Sequence, residues 1–257
     1  MSADSNVLQI EFDSVTKSFG PGRLVLQSVD LRVLKREFVT VIGPSGCGKS
    51  TVLRLISGLT PATAGTIRVD GMTPVNARET ISFIFQDATL LPWRTVKQNV
   101  GLGLELERVA AKRRDEKVAS LLQLVGLEDV AAAYPRELSG GMKMRASIAR
   151  ALATNPRLLL MDEPFAALDE MTRDRMNEEL LRLRDEQHWT AIFVTHSVAE
   201  AVFLSTRIIV LSPNPGRIHA VLPVDLPFPR TVELRERPEF EALVARASRI
   251  LREALVR

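Results

Sequence analysis

The chain has 257 residues, of which 46% are hydrophobic and 25% are charged, and its formal net charge is +3. This composition is ordinary for a soluble globular protein, and the length allows one large domain or a domain with a subdomain. The small net charge and the lack of a long basic run argue against a nucleic-acid partner. A single cysteine excludes an internal disulfide and is typical of a reducing compartment.

The sequence predicts no membrane-spanning or secretion segment. Residues 1–6 are polar and lack the basic-then-apolar pattern of a secretion signal. Apolar runs such as 38–42 and 208–211 are far shorter than the roughly 18 residues that a membrane helix needs. We therefore expect any work at a membrane to be done from its surface.

Short β-branched runs alternate with longer helical patterns along the chain. This alternation predicts an α/β fold with a parallel sheet flanked by helices. The Asp-Gly pair at residues 70–71 predicts a turn in a small antiparallel section near the N-terminus. The predicted strands are residues 8–12, 38–42, 66–69, 81–85, 157–161, 191–195 and 207–211.

The strand signal disappears between residues 90 and 150. Apolar residues recur there at helical spacing from Val118 to Val125, and Gly126 is placed to end that helix. This region therefore predicts a helical insert. After Pro213, frequent prolines predict an extended connector, and residues 238–255 predict a last amphipathic helix.

Residues 43–50, Gly-Pro-Ser-Gly-Cys-Gly-Lys-Ser, directly follow a predicted strand. Glycines let successive backbone N–H groups surround phosphate oxygens, and the N-terminus of the following helix adds partial positive charge. Lys49 is predicted to reach the β- and γ-phosphates, and Ser50 to supply an oxygen to Mg²⁺. The predicted nucleotide-binding residues of this loop are Gly43, Pro44, Ser45, Gly46, Cys47, Gly48, Lys49, Ser50 and Thr51.

A later apolar strand, residues 158–161, leads into Asp162 and Glu163. A carboxylate at such a strand end can hold Mg²⁺ through its water shell, which is the role predicted for Asp162. Glu163 is predicted to face the γ-phosphate and to polarise the attacking water. An Asp-Glu pair alone could merely cap a turn or helix, so this prediction depends on the phosphate loop.

Between these two motifs, residues 138–142 read Leu-Ser-Gly-Gly-Met. Ser139, Gly140 and Gly141 open a helix predicted to run to Ala153. A helix N-terminus preceded by glycines is a second anion site. The chain therefore carries two predicted phosphate-binding termini that lie far apart in sequence.

The three motifs in this order resemble the ATP-binding subunit of an ABC transporter, over nearly the whole chain. The resemblance implies an ATPase that uses ATP and Mg²⁺ and has a P-loop NTPase core, an antiparallel β section and a helical subdomain. It implies a nucleotide-binding domain at residues 1–230, with the helical subdomain at about 88–153, and a helical tail at 231–257.

The family resemblance also implies roles for single residues. Gln86 is similar to the glutamine that touches Mg²⁺ and connects to the membrane subunit, and His196 to the switch histidine that contacts the γ-phosphate. Asp169 resembles part of the loop that crosses between subunits. Phe19 lies where the family stacks an aromatic ring on adenine, with a core phenylalanine as the alternative. Lys49 and Glu163, predicted from their motifs, and Gln86 and His196, implied by the resemblance, are the predicted catalytic residues.

In this family the signature of one subunit closes on the ATP of the other, which implies a homodimer with two ATP molecules at its interface. The resemblance further implies integral-membrane permease subunits, an extracytoplasmic solute-binding protein as an indirect partner, and a peripheral position on the cytoplasmic face of the cell (inner) membrane. One alternative is a non-transport ABC ATPase acting on a soluble macromolecular complex. A small-molecule kinase is another, against which residues 138–141 and His196 argue.

Subgroup features are less specific than the ATPase motifs. Met142 stands where the family usually has glutamine, and Met144 replaces another common glutamine. Met142, together with residues 90–96, 99–100 and 211–218, resembles the branch that imports nitrate, sulfonates, taurine or related small solutes. Trp93 is predicted to contact the membrane subunit, with packing of the helical insert onto the core as the alternative.

Overall fold

The computed structural model describes residues 7–20 and 22–255, so the prediction for residues 1–6 lies outside the described part. The strands are β1 (Leu8–Ser18), β2 (Leu24–Leu34), β3 (Phe38–Ile42), β4 (Ala64–Val69), β5 (Ile81–Ile84), β6 (Leu158–Asp162), β7 (Thr190–Val194), β8 (Arg207–Leu211) and β9 (Ile218–Pro223). The helices are α1 (Lys49–Ile56), α2 (Val96–Val100), α3 (Leu102–Leu106), α4 (Ala111–Leu124), α5 (Gly140–Leu152), α6 (Glu170–Gln187), α7 (Val198–Leu204) and α8 (Pro238–Leu255).

The larger sheet has six strands in the order β5-β6-β7-β3-β8-β9. Its first five strands are parallel, and β9 pairs antiparallel with β8 at the edge. Every residue of β3, β6 and β7 is buried, because both faces of these central strands are covered, and the strands are accordingly rich in apolar residues. The carboxyl ends of these three strands meet at one edge, so the segments that follow them lie close together.

The smaller sheet is antiparallel, in the order β2-β1-β4. The predicted α/β class and the antiparallel section near the N-terminus are both confirmed. β1 is longer than predicted and continues to Ser18, past a bulge where Ser14 has a φ of 50°. Such irregularities break the strict alternation of apolar residues that marks a strand in sequence.

Two strands were missed by sequence reasoning. β2 carries a usable signal, since Val29, Leu31 and Val33 alternate with polar residues and are buried. β9 lies inside the region predicted as an extended connector, and that prediction is wrong for residues 218–223. Those residues pair with β8, and Pro223 fits because it stands at the end of an edge strand.

Helices α2 to α5 occupy residues 96–152, where sequence predicted a helical insert. Helix α4 ends at Leu124, and Gly126 follows it with a φ of 61°, as expected of a residue that ends a helix. Arg145 of α5 donates from Nη1 to the carbonyl oxygen of Val125 at 2.6 Å. This contact fastens the helix that follows the Leu-Ser-Gly-Gly element to the end of α4.

Helix α8 spans the predicted residues, and its buried side chains Phe240, Ala247 and Ala254 join the main core. Before it, Arg230 is buried and donates to carbonyl oxygens of α7 and of residues 224–226. Burial lowers the pKa of Arg230 to about 10, with the nearby charge of Arg184 acting in the same direction. The segment after β9 is thus fastened to the core. Within residues 7–20 and 22–255, no helix combines the length and apolarity needed to cross a lipid bilayer.

Candidate nucleotide-binding site

A cleft of about 790 Å³ lies at the carboxyl ends of the central strands. It is open to solvent and is bordered by the phosphate loop, by residues of β2 and by the segments that follow β5, β6 and β7. The predicted site residues that line it are Phe19, Ser45, Gly46, Gly48, Lys49, Ser50, Thr51, Gln86, Glu163 and His196. The fold therefore gathers residues from five separate places in the sequence around one space.

The phosphate loop is held in shape by close packing. Gly48 has a φ of 104°, and a Cβ there would lie 2.6 Å from Cδ2 of Leu26. Only glycine meets both conditions without strain. Lys49 begins α1 and is buried, and its Nζ donates to the carbonyl oxygens of Gly43 at 2.9 Å and Pro44 at 3.1 Å. The loop thus holds a cation at a helix N-terminus, which suits phosphate oxygens.

Three predicted loop residues, Gly43, Pro44 and Cys47, do not line the cleft. Cys47 is only 1% exposed, and a Cβ on Gly43 would lie 2.8 Å from its Sγ. Burial raises the pKa of the Cys47 thiol, although the charge of Lys49 opposes that shift. These residues contribute to the packing of the loop and not to the surface of the cleft. A buried neutral thiol is unsuited to be a nucleophile.

Asp162 ends β6 beside the phosphate loop. Ser50 Oγ donates to Asp162 Oδ1 at 3.0 Å. Burial raises the pKa of the Asp162 carboxyl; the hydrogen bond from Ser50 lowers it, and the charge of Glu163 adds to the rise. A buried carboxylate beside a hydroxyl is a pair of hard oxygen donors, the type that Mg²⁺ prefers.

The residues present fit Mg²⁺. Ser50 and Asp162 supply adjacent oxygens, and the exposed side chain of Gln86 lies on the same cleft. No group of three or more His, Cys, Asp or Glu side chains suited to a metal occurs in residues 7–20 and 22–255. Mg²⁺ is usually held by one or two protein oxygens together with water and substrate phosphates, and Ser50 and Asp162 offer two such oxygens.

Glu163 follows Asp162 in an uncommon backbone conformation, with a φ of 50°. Its N–H donates to the carbonyl oxygen of Val194 at 3.0 Å, which fixes the turn against β7. Its Oε1 lies 2.8 Å from Nε2 of His196, in the segment after β7. Left-handed backbone at a non-glycine residue costs free energy and is found at functional turns. The arrangement aims a carboxylate and an imidazole at the same part of the cleft.

The Leu-Ser-Gly-Gly element lies elsewhere. Ser139 caps α5, and its Oγ accepts from the N–H of Met142 at 3.3 Å. Ser139 and Gly140 are exposed, and neither they nor Gly141 line the cleft. A Cβ on Gly141 would lie 3.4 Å from the carbonyl oxygen of Ala167, so this helix terminus adjoins the segment before α6.

Asp169 also lies outside the cleft. It caps α6, and its Oδ1 accepts from the N–H of Thr172 at 2.9 Å. That hydrogen bond holds the pKa of the Asp169 carboxyl below its usual value. Asp169 and the Leu-Ser-Gly-Gly terminus therefore belong to a part of the surface distinct from the phosphate loop.

Phe19 is 40% exposed and lines the cleft, so the alternative of a core phenylalanine is wrong. The Nζ of Lys17 lies 4.7 Å from the centroid of its ring. Sequence reasoning missed other residues that line the cleft, among them Arg23, Arg54 and Asn214. No motif marks Arg23 or Arg54, and Asn214 lies in the segment 211–218, which the sequence marks only as a subgroup feature. Only the folded chain brings Arg23 and Asn214 beside the phosphate loop.

A larger groove, of about 870 Å³, is formed by residues of α2 to α4 and by the segments beside them. Trp93 borders this groove and is 69% exposed. An exposure this large contradicts the alternative in which Trp93 packs the helical insert onto the core. Ion pairs join Arg94 to Glu105 at 2.6 Å and Lys97 to Asp115 at 3.2 Å along the groove.

A phosphate loop at the end of a parallel sheet, facing an acidic pair and a histidine, defines a nucleotide-hydrolysing cassette. The family model described as ABC transporter matches residues 26–166. The chain belongs to the ABC transporter family, as its motifs predicted, and it is an ATPase of that family.

Relatives and a solved structure refine this result. The aliphatic sulfonates import ATP-binding protein SsuB of Bacillus licheniformis is 46% identical over 88% of this chain and 88% of its own length. The nitrate import ATP-binding protein NrtD of Synechocystis is 43% identical over 89% of this chain and 88% of its own length. The ATP-binding cassette MJ0796, solved as a dimer in a post-hydrolysis state with ADP and Pi, is 32% identical. That match has a TM-score of 0.78 and covers 84% of this chain and 99% of the cassette. The predicted resemblance to the importer branch is thus confirmed.

Proposed function

We propose that this chain is the ATP-binding and ATP-hydrolysing subunit of an importer that takes up a small solute, such as nitrate, a sulfonate or taurine, through a separate membrane permease. The observation that carries the proposal is one cleft lined by Lys49, Ser50 and the Glu163–His196 pair, with Asp162 hydrogen-bonded to Ser50 at its edge. The names of the relatives support the import function and give no support to a non-transport ATPase.

In the proposed reaction Lys49 binds the β- and γ-phosphates, and Phe19 stacks on the adenine. Ser50, Asp162 and Gln86 would hold Mg²⁺, which when bound neutralises charge on the phosphate oxygens. Glu163 orients the attacking water and accepts its proton. His196 contacts the γ-phosphate and, through its 2.8 Å contact with Oε1, holds Glu163 in place.

The second phosphate-binding terminus supports a dimer. Ser139, Gly140 and Gly141 do not line the cleft of their own subunit, which supports a role at the ATP of another. We propose that they close on the ATP of a second copy, with Asp169 at the crossing between the two. A dimer related by two-fold symmetry then encloses two ATP molecules.

We further propose that this dimer lies on the cytoplasmic face of the cell membrane, with permease subunits seated at the groove beside Trp93. A solute-binding protein outside the membrane would deliver the solute. In this proposal residues 1–230 form the nucleotide-binding domain, residues 88–153 its helical subdomain, and residues 231–257 a tail.

The substitution Glu163→Gln tests the reaction. It removes the base but keeps the volume of the side chain, so Mg-ATP binding should persist while turnover falls roughly 10²- to 10⁴-fold. ATP-bound dimers should then accumulate in size-exclusion chromatography. Glu253→Gln, at an exposed position of α8, is the matched control and should turn over normally. Turnover by Glu163→Gln close to that of the unchanged protein would remove Glu163 from the proposed role.

A further inference from the structure

A buried carboxylate near the cleft has no part in the proposed reaction. Glu200 of α7 is 4% exposed and does not line the nucleotide cleft. Its Oε2 accepts from Thr195 Oγ1 at 2.5 Å, and its Oε1 lies 3.6 Å from Nε of Arg173. Burial raises the pKa of Glu200, while the hydrogen bond from Thr195 and the charge of Arg173 oppose that shift. A buried carboxylate needs partners, and Glu200 has two, Thr195 and Arg173.

Through Thr195, Glu200 fixes the segment that carries His196. The hydroxyl of Thr195 donates to Glu200 and also accepts from the N–H of Ser197 at 3.0 Å. The Oγ of Ser197 in turn accepts from the N–H of Glu200 at 3.2 Å. The residues on both sides of His196 are therefore held by Glu200.

Through Arg173, Glu200 reaches a second segment. Arg173 of α6 donates from Nη2 to the carbonyl oxygen of Leu168 at 2.9 Å. Leu168 directly precedes Asp169 and packs against Gly141. A Cβ added to Gly141 would lie 3.3 Å from Cδ2 of Leu168. One guanidinium thus bridges α7 and the 167–169 segment, which adjoins the Leu-Ser-Gly-Gly terminus.

Arg173, Thr195 and Glu200 all border one small cavity. Its volume is about 160 Å³, and its lining also includes Glu163 and His196. Arg173, which holds the 167–169 segment through the Leu168 carbonyl, lines this cavity, so a shift of Arg173 or of the His196 segment would change the space beside the Glu163–His196 pair. Misplacement of a reacting group by about 1 Å can cost 10²-fold in rate.

We propose that Arg173 and Glu200 are positioning residues that hold the 167–169 segment and the His196 segment in one fixed relation. Closure of a second subunit on the 167–169 segment then sets the position of His196 relative to Glu163. Neither residue lines the nucleotide cleft. This inference rests on the proposed roles of Glu163, His196 and the dimer, and it concerns the rate of hydrolysis after ATP has bound.

Two substitutions test the proposal. Glu200→Gln retains an acceptor for Thr195 but loses the ion pair with Arg173. Arg173→Lys retains the charge but loses the planar fork that joins Glu200 to the Leu168 carbonyl. Each should lower kcat about tenfold and leave KM for ATP within about twofold, because positioning acts on the chemical step. Arg175→Lys, exposed on the same helix, is the matched control and should change neither constant.

A double variant separates a working pair from two independent structural contacts. If Arg173 and Glu200 act as one unit, combining Glu200→Gln with Arg173→Lys should cost no more in kcat than the worse single change. If the losses of kcat in the two single variants multiply in the double variant, the proposal is overturned. An unchanged kcat in folded single variants would also overturn it, as would a rise in KM as large as the fall in kcat. If Glu200→Gln fails to fold, the constants of Arg173→Lys alone decide between these outcomes.

Measuring Glu163→Gln alongside separates this inference from the proposed function. A loss of turnover in Glu163→Gln with full turnover in both positioning variants would overturn only the role of Arg173 and Glu200. Full turnover in Glu163→Gln would overturn the proposed reaction itself. ATP-driven dimer formation supplies a further readout, and the positioning variants should retain it.

Discussion

At the scale of single residues, Cys47 shows how burial decides chemistry. It stands within a loop built for phosphates, where a thiolate would meet the cation of Lys49. Its side chain nevertheless points away from the cleft and is 1% exposed, and burial raises its pKa. Low exposure and a high pKa both suppress thiolate reactivity.

We therefore expect Cys47 to alkylate slowly in the folded protein. With iodoacetamide at pH 8, the rate should be at least about tenfold below that of a free thiol, because little thiolate is present or accessible. The full rate should return in urea. Mass spectrometry reads this directly, since Cys47 is the only cysteine of the chain. Rapid alkylation of folded protein would show that the loop opens far more than its packing suggests.

At the scale of elements, the helical segment carries the groove beside Trp93. The segment before α2 is fixed by Asn99, whose Oδ1 accepts from the N–H of Leu91 at 2.7 Å and whose Nδ2 donates to the carbonyl oxygens of Leu91 and Arg94. Asn99 is itself buried. An exposed indole on a rigid support is the kind of anchor that receives a partner helix.

The chain offers a matched pair of tryptophans to test this surface. Trp93→Ala should leave the thermal midpoint and basal ATPase close to those of the unchanged protein, because the side chain is 69% exposed. Assembly with the permease, or solute-stimulated transport in liposomes, should fall. Trp189→Ala, at a site 1% exposed, should instead lower the free energy of unfolding by about 3–5 kcal/mol. Unfolding of Trp93→Ala, or its loss of basal ATPase with assembly intact, would contradict a docking role.

At the scale of the whole molecule, the two phosphate-binding termini predict a shared site. Ser139→Arg should place bulk and charge against the ATP of the second subunit, so closure and hydrolysis should fail while each subunit still binds ATP. Lys49→Ala should fail earlier, at nucleotide binding, because it removes the charge nearest the β- and γ-phosphates.

Mixing the two variants provides the test. In a mixed dimer one site carries both changes and the other carries neither, so partial ATPase activity should return. Each variant alone is the control and should be inactive. Absence of recovery in dimers shown by mass spectrometry to be mixed would argue against sites shared between subunits.

The order of the motifs by itself determined the family, the fold class and the ATPase activity. A phosphate loop, a Leu-Ser-Gly-Gly element and an acidic strand end are local patterns, so spacing along the chain is enough to recognise them. The end of α4 before Gly126 is local in the same sense, since a left-handed residue sets it, and the apolar periodicity of residues 238–255 is enough to predict α8.

Only the tertiary structure decided features that depend on contacts between distant segments. β9 pairs with β8 in spite of the prolines around it, because an edge strand tolerates proline and gains a hydrogen-bonded neighbour. Cys47 lies behind the phosphate loop and Trp93 faces solvent, and no pattern around either residue fixes that direction. The links from Arg173 to Glu200 and from Glu163 to His196 span many residues in sequence. They form because parallel strands deliver their carboxyl ends, and the segments after them, to one edge of the sheet.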